Sequence, residues 1–261
     1  MIEGAKVIVI VPAFDEEALV GKVVRTMPAF VDRVLVVDDG SADATSARAL
    51  EPGDPRVEVL RHPRRRGVGA ALVTGYKAAL AAGGGPTDAL CVMAGDGQMD
   101  PADLVRVARP VARGEADYVK GDRFGAPGVR AAMGLPRWIG GQVFSRLTSA
   151  AVGQRVSDSQ CGYTALARAA AAALDLDGLW PSFGYPNDLL GQLAQRRLRI
   201  RDVEVRPVYG EEKSKLRLRH LPPFFFLIAR AAVRRRRGAP PVPPTGDARG
   251  EGLRGDSAVS S

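Results

Sequence analysis

A continuous run of β-branched residues near the N-terminus, VIVIV at positions 7–11, constrains the fold more than any other stretch. A run without polar alternation is typical of a strand buried on both faces, as in the centre of a parallel sheet. Similar apolar segments follow at 33–37, 57–60 and 89–93, and an alanine-rich helical segment spans 67–82. Strands and helices that alternate in this way predict an α/β fold with a mostly parallel, doubly wound sheet.

Acidic residues follow three of these predicted strands. Asp15 and Glu16 come after the first strand, in the first turn of a helix that we expect to open at residue 13. Asp38 and Asp39 end the second strand, and Asp96 follows the fourth. Ligands of open α/β sheets bind at the carboxyl ends of the strands, so these side chains predict one polar site.

The segment Gly95-Asp96-Gly97-Gln98 is the strongest candidate for the chemistry of that site. A carboxylate and a carboxamide after a buried strand suit a hard cation such as Mg²⁺ or Mn²⁺, which takes oxygen ligands and shares them with phosphates. The alternative is that Asp96 only caps the helix that follows Pro101.

Bulk properties narrow the class of protein. The 261 residues suffice for one large domain or two small ones, and two cysteines are too few for a disulfide scaffold. A net charge of +8 predicts attraction to anions such as nucleotides or anionic lipid. We expect neither an N-terminal signal nor a spanning helix, because no apolar run reaches about 18 residues.

The glycines at the start of the 67–82 helix have two interpretations. Helix N-termini favour anions, and Arg64, Arg65 and Arg66 add positive charge just before Gly67 and Gly69. These residues therefore predict either a phosphate or nucleotide contact or a solvated charged turn, although the spacing matches no dinucleotide fingerprint.

The second half of the chain predicts further elements. They are a strand at 118–124, a mobile loop at 125–136, helices at 137–152, 165–174 and 189–197, and a strand at 200–208.

The C-terminal region combines apolar and basic residues. Residues 221–228 are rich in phenylalanine, and four arginines follow at 234–237. This pattern favours a helix in a membrane interface, with a helix packed on the core as the alternative. We expect a catalytic domain over 1–215, the amphipathic segment over 216–237 and a disordered tail over 238–261.

Taken in order, four motifs resemble those of family 2 glycosyltransferases, and more narrowly of the dolichyl- or polyprenyl-phosphate sugar transferases. The resemblance covers about residues 5–235. It implies a single-domain GT-A fold, a UDP- or GDP-sugar donor, a divalent metal ion and inversion at the anomeric carbon. The motifs are Pro12-Ala13-Phe14-Asp15-Glu16, Asp38-Asp39-Gly40-Ser41, Gly95-Asp96-Gly97-Gln98 and Asp158-Ser159-Gln160-Cys161-Gly162-Tyr163.

The resemblance also implies roles for single residues. Asp96 would hold the metal ion with help from Gln98, although Ala94 stands where many relatives have a first aspartate. Arg123 would bind the diphosphate or the acceptor phosphate. By resemblance, Pro12, Glu16 and Asp39 would contact the donor, and Ser214 and Lys215 would meet the acceptor phosphate. From their places in the chain we add Asp38, Gly67 and Gly69 to the donor site and Lys213 to the acceptor-phosphate site.

The expected activity is transfer of a sugar to a polyprenyl phosphate by a peripheral enzyme on the cytoplasmic face of the membrane. If the acceptor were instead a sugar hydroxyl, Asp188 would be the candidate general base; its other possible role is to cap a helix starting at Leu189. A nucleotidyltransferase is a further alternative, but Asp15 and Glu16 put acids where it needs a basic glycine-rich loop. Nucleic acid is not expected as a partner, because the basic clusters lack base-stacking aromatic residues.

Overall fold

The computed structural model describes residues 1–208 and 221–239. Within them, seven strands form one sheet in the order β3-β2-β1-β4-β6-β5-β7. Neighbouring strands are parallel except at β6, which runs antiparallel to both β4 and β5. The predicted mostly parallel sheet is confirmed. The strands are β1 (Val7–Ala13), β2 (Arg33–Asp38), β3 (Val57–Arg61), β4 (Ala89–Val92), β5 (Tyr118–Asp122), β6 (Thr164–Ala167) and β7 (Ile200–Glu204).

Helices connect and cover the strands. A short 3₁₀ turn at Pro101–Asp103 precedes the fourth α-helix. The α-helices are α1 (Val20–Arg25), α2 (Thr45–Leu50), α3 (Val68–Ala81), α4 (Leu104–Ala112), α5 (Val129–Met133), α6 (Leu135–Val152), α7 (Arg168–Ala173), α8 (Tyr185–Gln195) and α9 (Leu221–Arg237).

The apolar run at 7–11 occupies the middle of the core, as predicted. Every one of its five side chains is buried, and β1 has a parallel neighbour on each side in β2 and β4. Consecutive buried side chains require cover on both faces of a strand, because successive side chains point in opposite directions. The run therefore fixes β1 as a central strand.

Three local predictions are wrong. The first helix begins at Val20 and not at residue 13, because Asp15 has a φ of +53° that no helix can include. The expected mobile loop over 125–136 contains α5 and the start of α6. The helix expected at 165–174 begins as strand β6, which pairs with two neighbours and so overrides the helix propensity of its alanines.

The C-terminal helix α9 is present, and one of its faces packs on the α/β body. Phe224, Leu227 and Ala231 are buried. A Cβ on Gly191 of α8 would lie 2.8 Å from the Cα of Ala231, so the two helix backbones approach closely there. In the described part of the chain, no helix is both long enough and apolar enough to cross a bilayer.

Candidate active site

A cavity of about 330 Å³ opens at the carboxyl ends of β1 and β4. Five residues predicted for the site line it together: Pro12, Glu16, Asp96, Gln98 and Arg123. The other lining residues are Val68, Val92, Ala94, Met99, Arg137, Gln160, Cys161, Gly162, Tyr163, Phe183, Gly184, Tyr185, Pro186, Val205, Arg206, Pro207, Val208 and Phe224.

Asp96 lies in a tight turn that directly follows β4. Its Oδ1 accepts a hydrogen bond of 3.1 Å from the backbone N–H of Gln98, and Gly97 takes a φ of +70° to close the turn. The helix-cap alternative for Asp96 does not hold, because Asp100 is the N-cap of the 3₁₀ turn and accepts from the N–H of Ala102. The half-buried carboxylate of Asp96 therefore faces the cavity instead of a helix end.

These residues fit a divalent metal ion that also binds the substrate. The described residues contain no cluster of three or more histidine, cysteine or acidic side chains that could hold a metal alone. Ala94 offers no ligand, which leaves the carboxylate of Asp96 and the carboxamide of Gln98 on this side of the cavity. Mg²⁺ commonly takes one or two carboxylates and completes its shell with water and phosphate oxygens, so this donor set is adequate.

Arg123 is fixed at the cavity wall by a buried carboxylate. Its Nε and Nη2 donate to the two oxygens of Asp158 at 2.6 and 3.0 Å, and Asp158 is 0% exposed. Such a two-point pair sets the plane of a guanidinium group. The predicted motif at 158–163 thus acts through Asp158 on Arg123.

Lys120 of β5 holds the other end of the same motif. Its ammonium group is fully buried and donates to the carbonyl oxygen of Cys161 at 2.5 Å. Burial lowers the pKa of Lys120, and the neighbouring Cys161 and Asp158 oppose that effect. No motif in the sequence pointed to this lysine, which looks like an ordinary strand residue.

Asp38 has a structural role behind the site. It does not line the cavity; its Oδ1 accepts from the N–H of Ser41 at 2.8 Å, and its Oδ2 accepts from the hydroxyl of Ser46. Burial alone would raise the pKa of Asp38, but the hydrogen bonds of Ser41 and Ser46 and the charge of Arg61 outweigh it and lower the pKa. The structure gives no support to donor contact by Asp38.

Asp39 organises the loop that leads into α3. Its Oδ1 accepts from His62 Nδ1 and from the N–H of Arg66, both at 2.8 Å, and its Oδ2 accepts from the N–H of Gly67 at 2.7 Å. The carboxylate is buried and lies outside the cavity lining. His62 also contacts the hydroxyl of Thr74 at 2.9 Å. No sequence pattern predicted this contact.

Gly67 and Gly69 admit the close approach of the backbone of residues 180–182. A Cβ on Gly67 would lie 2.4 Å from the carbonyl oxygen of Pro181, and a Cβ on Gly69 would lie 2.1 Å from that of Trp180. The Pro181 carbonyl also accepts a 3.1 Å hydrogen bond from the N–H of Ala70. The loop at 180–182 therefore packs closely on the N-terminus of α3, which accounts for both glycines, while Val68 between them lines the cavity. The phosphate contact stays a prediction.

Asp188 is not at the cavity wall. It belongs to the first turn of α8 and is 1% exposed. One oxygen lies 2.7 Å from Arg234 and 3.5 Å from Arg230, and the other accepts from the N–H of Trp180 at 2.9 Å. The helix-cap role does not hold, because α8 starts at Tyr185 and Gly184 is its N-cap.

The structure adds two arginines that sequence reasoning missed. Arg137 of α6 and Arg206, which follows β7, both line the cavity. Arg206 pairs with Asp100 at 3.1 Å, whereas Arg137 is exposed and forms no ion pair with a described residue. Arg137 stood at the boundary of an expected loop, where nothing marked it as functional. Lys213, Ser214 and Lys215 lie outside the described residues.

Comparison with solved structures identifies the fold. Glucosyl-3-phosphoglycerate synthase from Mycobacterium tuberculosis, with Mg²⁺ and UDP, aligns over 88% of this chain and 79% of its own, with a TM-score of 0.62 and 23% identity. Mannosyl-3-phosphoglycerate synthase from Rubrobacter xylanophilus aligns over 90% and 74%, with a TM-score of 0.63 and 18% identity. The predicted GT-A glycosyltransferase fold is confirmed.

Sequence comparison then assigns the family. Residues 8–174 match the description "Glycosyl transferase family 2", and the chain belongs to that family. The undecaprenyl-phosphate mannosyltransferase of Micrococcus luteus is 31% identical over 77% of this chain and 82% of its own length. The UDP-N-acetylglucosamine–dolichyl-phosphate N-acetylglucosaminyltransferase of Methanococcus voltae is 28% identical over 77% and 85%. The chain is a glycosyltransferase, which excludes the nucleotidyltransferase alternative.

Proposed function

We propose that this enzyme transfers a sugar, with inversion, from a UDP- or GDP-sugar to a polyprenyl phosphate at the cytoplasmic face of a membrane. Relatives that cover more than two thirds of the chain are named for transfer to undecaprenyl or dolichyl phosphate. The observation that carries the proposal is the distribution of charge around the cavity.

The acidic side of the cavity suits the donor. Glu16 and Asp96 are the carboxylates that line it within the described residues, and Pro12 lines it from the end of β1. Asp96 and Gln98 would hold Mg²⁺ or Mn²⁺ on the donor diphosphate, and the ion would stabilise the charge of the leaving group. Related structures were solved with UDP and with Mg²⁺ or Mn²⁺, which supports the same requirement here.

The basic side of the cavity suits an anionic acceptor. Arg123 and Arg137 both line the cavity. A sugar hydroxyl would need a carboxylate to remove its proton, and the candidate Asp188 is buried in ion pairs away from the cavity. A phosphate oxygen is already anionic near neutral pH and needs only to be positioned. This contrast favours a lipid phosphate over a hydroxyl acceptor.

The residues of the chain would then divide the work of the transfer. Arg123, held in plane by Asp158, would orient the acceptor phosphate or balance the diphosphate charge, and Arg137 would add a second positive charge. Attack from the side opposite the diphosphate inverts the anomeric carbon. The buried aromatic side chains of Tyr163 and Tyr185 line the wall and would exclude water from the reacting groups.

An exposed apolar surface beside the cavity supports membrane docking. On α6, Leu135, Ile139, Val143 and Leu147 recur every fourth residue and are exposed, so they share one face of the helix. On α9, Phe225, Phe226 and Val233 are exposed, and the ring of Phe225 lies 5.3 Å from that of Phe144 on α6. Surfaces of this kind mark sites of interaction. We name these seven residues the α6–α9 surface.

The basic residues of α9 do not all face this proposed membrane surface. Arg230 and Arg234 pair inward with Asp188, although Arg234 belongs to the basic run at 234–237 that the sequence suggested for lipid contact. Arg235, Arg236 and Arg237 are exposed. Each basic residue near an anionic bilayer contributes about 1 kcal/mol, so these three would add salt-sensitive attraction to the apolar contact.

The test of the proposed function is an acceptor comparison. Each of UDP-glucose, UDP-N-acetylglucosamine and GDP-mannose is incubated with polyprenyl phosphate, with the matching polyprenol, or with soluble sugars, in the presence of Mg²⁺ or Mn²⁺. We expect one donor to give product with polyprenyl phosphate and none with the polyprenol, and chelation to stop the reaction. Transfer to a sugar hydroxyl without transfer to the lipid phosphate would refute the proposal.

A further inference from the structure

One wall of the cavity is built by the N-terminus of α8 and by α9. Gly184, Tyr185 and Pro186 line it from α8, and Phe224 lines it from α9. The two helices touch at the wall itself, because a Cβ on Gly184 would lie 2.8 Å from a methyl group of Leu227. The shape of this wall therefore depends on where α9 sits.

Asp188 joins the segments that make the wall. Its Oδ1 accepts from Arg234 at 2.7 Å, with Arg230 3.5 Å away, and its Oδ2 accepts from the N–H of Trp180 at 2.9 Å. Its backbone carbonyl also accepts from Arg234, at 3.3 Å. We name this arrangement of Asp188, Arg230, Arg234 and the backbone N–H of Trp180 the Asp188 latch.

The latch ties three elements through one buried carboxylate. Trp180 belongs to the loop that covers the N-terminus of α3, Asp188 to α8, and the two arginines to successive turns of one face of α9. Burying charge costs free energy, and buried ion pairs add little stability compared with apolar side chains of equal volume. In some proteins such a pair instead fixes a single register, because a displaced helix would leave a buried charge without a partner.

We propose that Asp188 is a positioning residue: through Arg230 and Arg234 it fixes α9 against the cavity wall at Gly184–Pro186. The inference rests on the proposed function in one respect: we take the substrate whose binding depends on this wall to be the acceptor. Asp188 takes no part in bond making and transfers no proton. Because the outer face of α9 belongs to the α6–α9 surface, the latch also links that surface to the cavity wall at Gly184–Pro186.

The experiment compares Asp188→Asn, Arg234→Met and the double variant with a matched control. Asp117→Asn is that control: Asp117 is likewise buried and paired with an arginine, Arg199, but it precedes β5 at the end of the sheet away from the cavity. Each variant is assayed for thermal unfolding, donor KM, acceptor KM and kcat. Since the partners act as one unit, we expect each latch variant to raise the acceptor KM about tenfold and the double variant to add little.

A second readout does not depend on the acceptor. The chain has two tryptophans, so a Trp138→Phe background leaves Trp180 as the sole reporter at the latch. We expect acrylamide to quench Trp180 more strongly in Asp188→Asn than in the parent, and no such change in Asp117→Asn. This readout stands even if the parent enzyme proves not to use polyprenyl phosphate, so failure of the latch and failure of the proposed function remain distinguishable.

Two outcomes would overturn the inference. One is a change of donor KM and acceptor KM in parallel, matched by Asp117→Asn at an equal loss of thermal stability, which would make Asp188 merely structural. The other is unchanged quenching of Trp180 in Asp188→Asn.

Discussion

Replacing Gly69 with alanine separates two explanations of the glycines before α3. If Gly69 admits the backbone of the Trp180–Ser182 loop, an added methyl group collides with protein. If it admits a donor phosphate, the methyl group leaves the fold unchanged and weakens donor binding. In the structure the new Cβ would lie 2.1 Å from the carbonyl oxygen of Trp180 and 2.9 Å from a backbone carbon of Pro181. Carbon atoms in contact normally lie about 3.5–4.0 Å apart, and both distances are well below that range, so the loop must move.

The size of the effect follows from three contributions. Overpacking costs about 1–3 kcal/mol. Loss of the 3.1 Å hydrogen bond from Ala70 to the Pro181 carbonyl costs about another 1 kcal/mol. The helix propensity of alanine returns at most about 1 kcal/mol. The net loss is about 2 kcal/mol, which corresponds to a fall in Tm of about 4–8 °C for a chain of this size.

The assay is thermal unfolding followed by circular dichroism, together with the donor KM. Gly140→Ala is a matched control, because Gly140 also lies in a helix but its Cβ would meet nothing within 4 Å. The control should raise Tm by a few degrees at most, because the higher helix propensity of alanine stabilises the helix by about 1 kcal/mol. An unchanged Tm in Gly69→Ala, together with a raised donor KM, would refute the packing explanation and restore the phosphate contact.

Three further predictions follow from the site and the surface. Asp96→Asn should lower kcat by about 10²–10³-fold, because a neutral amide binds a hard cation poorly, with little change in Tm; wild-type turnover at saturating Mg²⁺ would remove Asp96 from the metal site. Because the folded-state pKa of Asp38 lies below its usual value of 3.8, its contribution to stability is present above that value and is lost as the pH falls through the lower, folded-state pKa. Asp38→Asn should therefore flatten the acid limb of the stability profile measured by urea unfolding, and an unchanged slope would contradict this account. The double change Phe225→Asp and Phe226→Asp should reduce sedimentation with anionic vesicles and lower Tm only slightly, since both rings are exposed even though that of Phe225 lies 5.3 Å from the ring of Phe144; undiminished vesicle binding would place docking elsewhere.

Vesicle binding is better tested by these exposed side chains than by truncation after His220. A truncation would remove Phe224, Leu227 and Ala231 together with the exposed rings, and these three are buried against the body. Deleting a packed helix uncovers apolar surface and destabilises the domain, so a loss of vesicle binding could not be assigned to the membrane contact.

The edge of the sheet that carries the site could be predicted from the sequence because local rules determine it. A buried run such as 7–11 can only be a central strand, and residues that end parallel strands must meet. Pro12, Glu16 and Asp96 come together in one cavity for this reason. Arg123 joined them because it follows a strand in the same way.

Contacts between distant segments could not be predicted in this way. The reason for Gly69 is a carbonyl at Trp180, and the reason for Asp188 is a pair of arginines on α9. No local pattern records either partner. The same holds for β6, whose alanines favour a helix until the strands on both sides supply hydrogen bonds. In the structure, Gly69 and the carboxylates of Asp39 and Asp188, which the sequence suggested as ligand contacts, contact other parts of the chain.

The two arginines on the proposed acceptor side differ in a way that assigns them different tasks. Arg123 is already ordered by its two-point pair with the buried Asp158, so binding a phosphate there costs little side-chain entropy. Arg137 is exposed and has no described ion-pair partner, so it must be ordered when the acceptor binds. A fixed charge acts best where the geometry of the transition state matters, and a mobile one serves capture. In the proposed reaction, Arg123 would therefore orient the acceptor phosphate, and Arg137 would draw it in from the α6–α9 surface, on whose helix it lies.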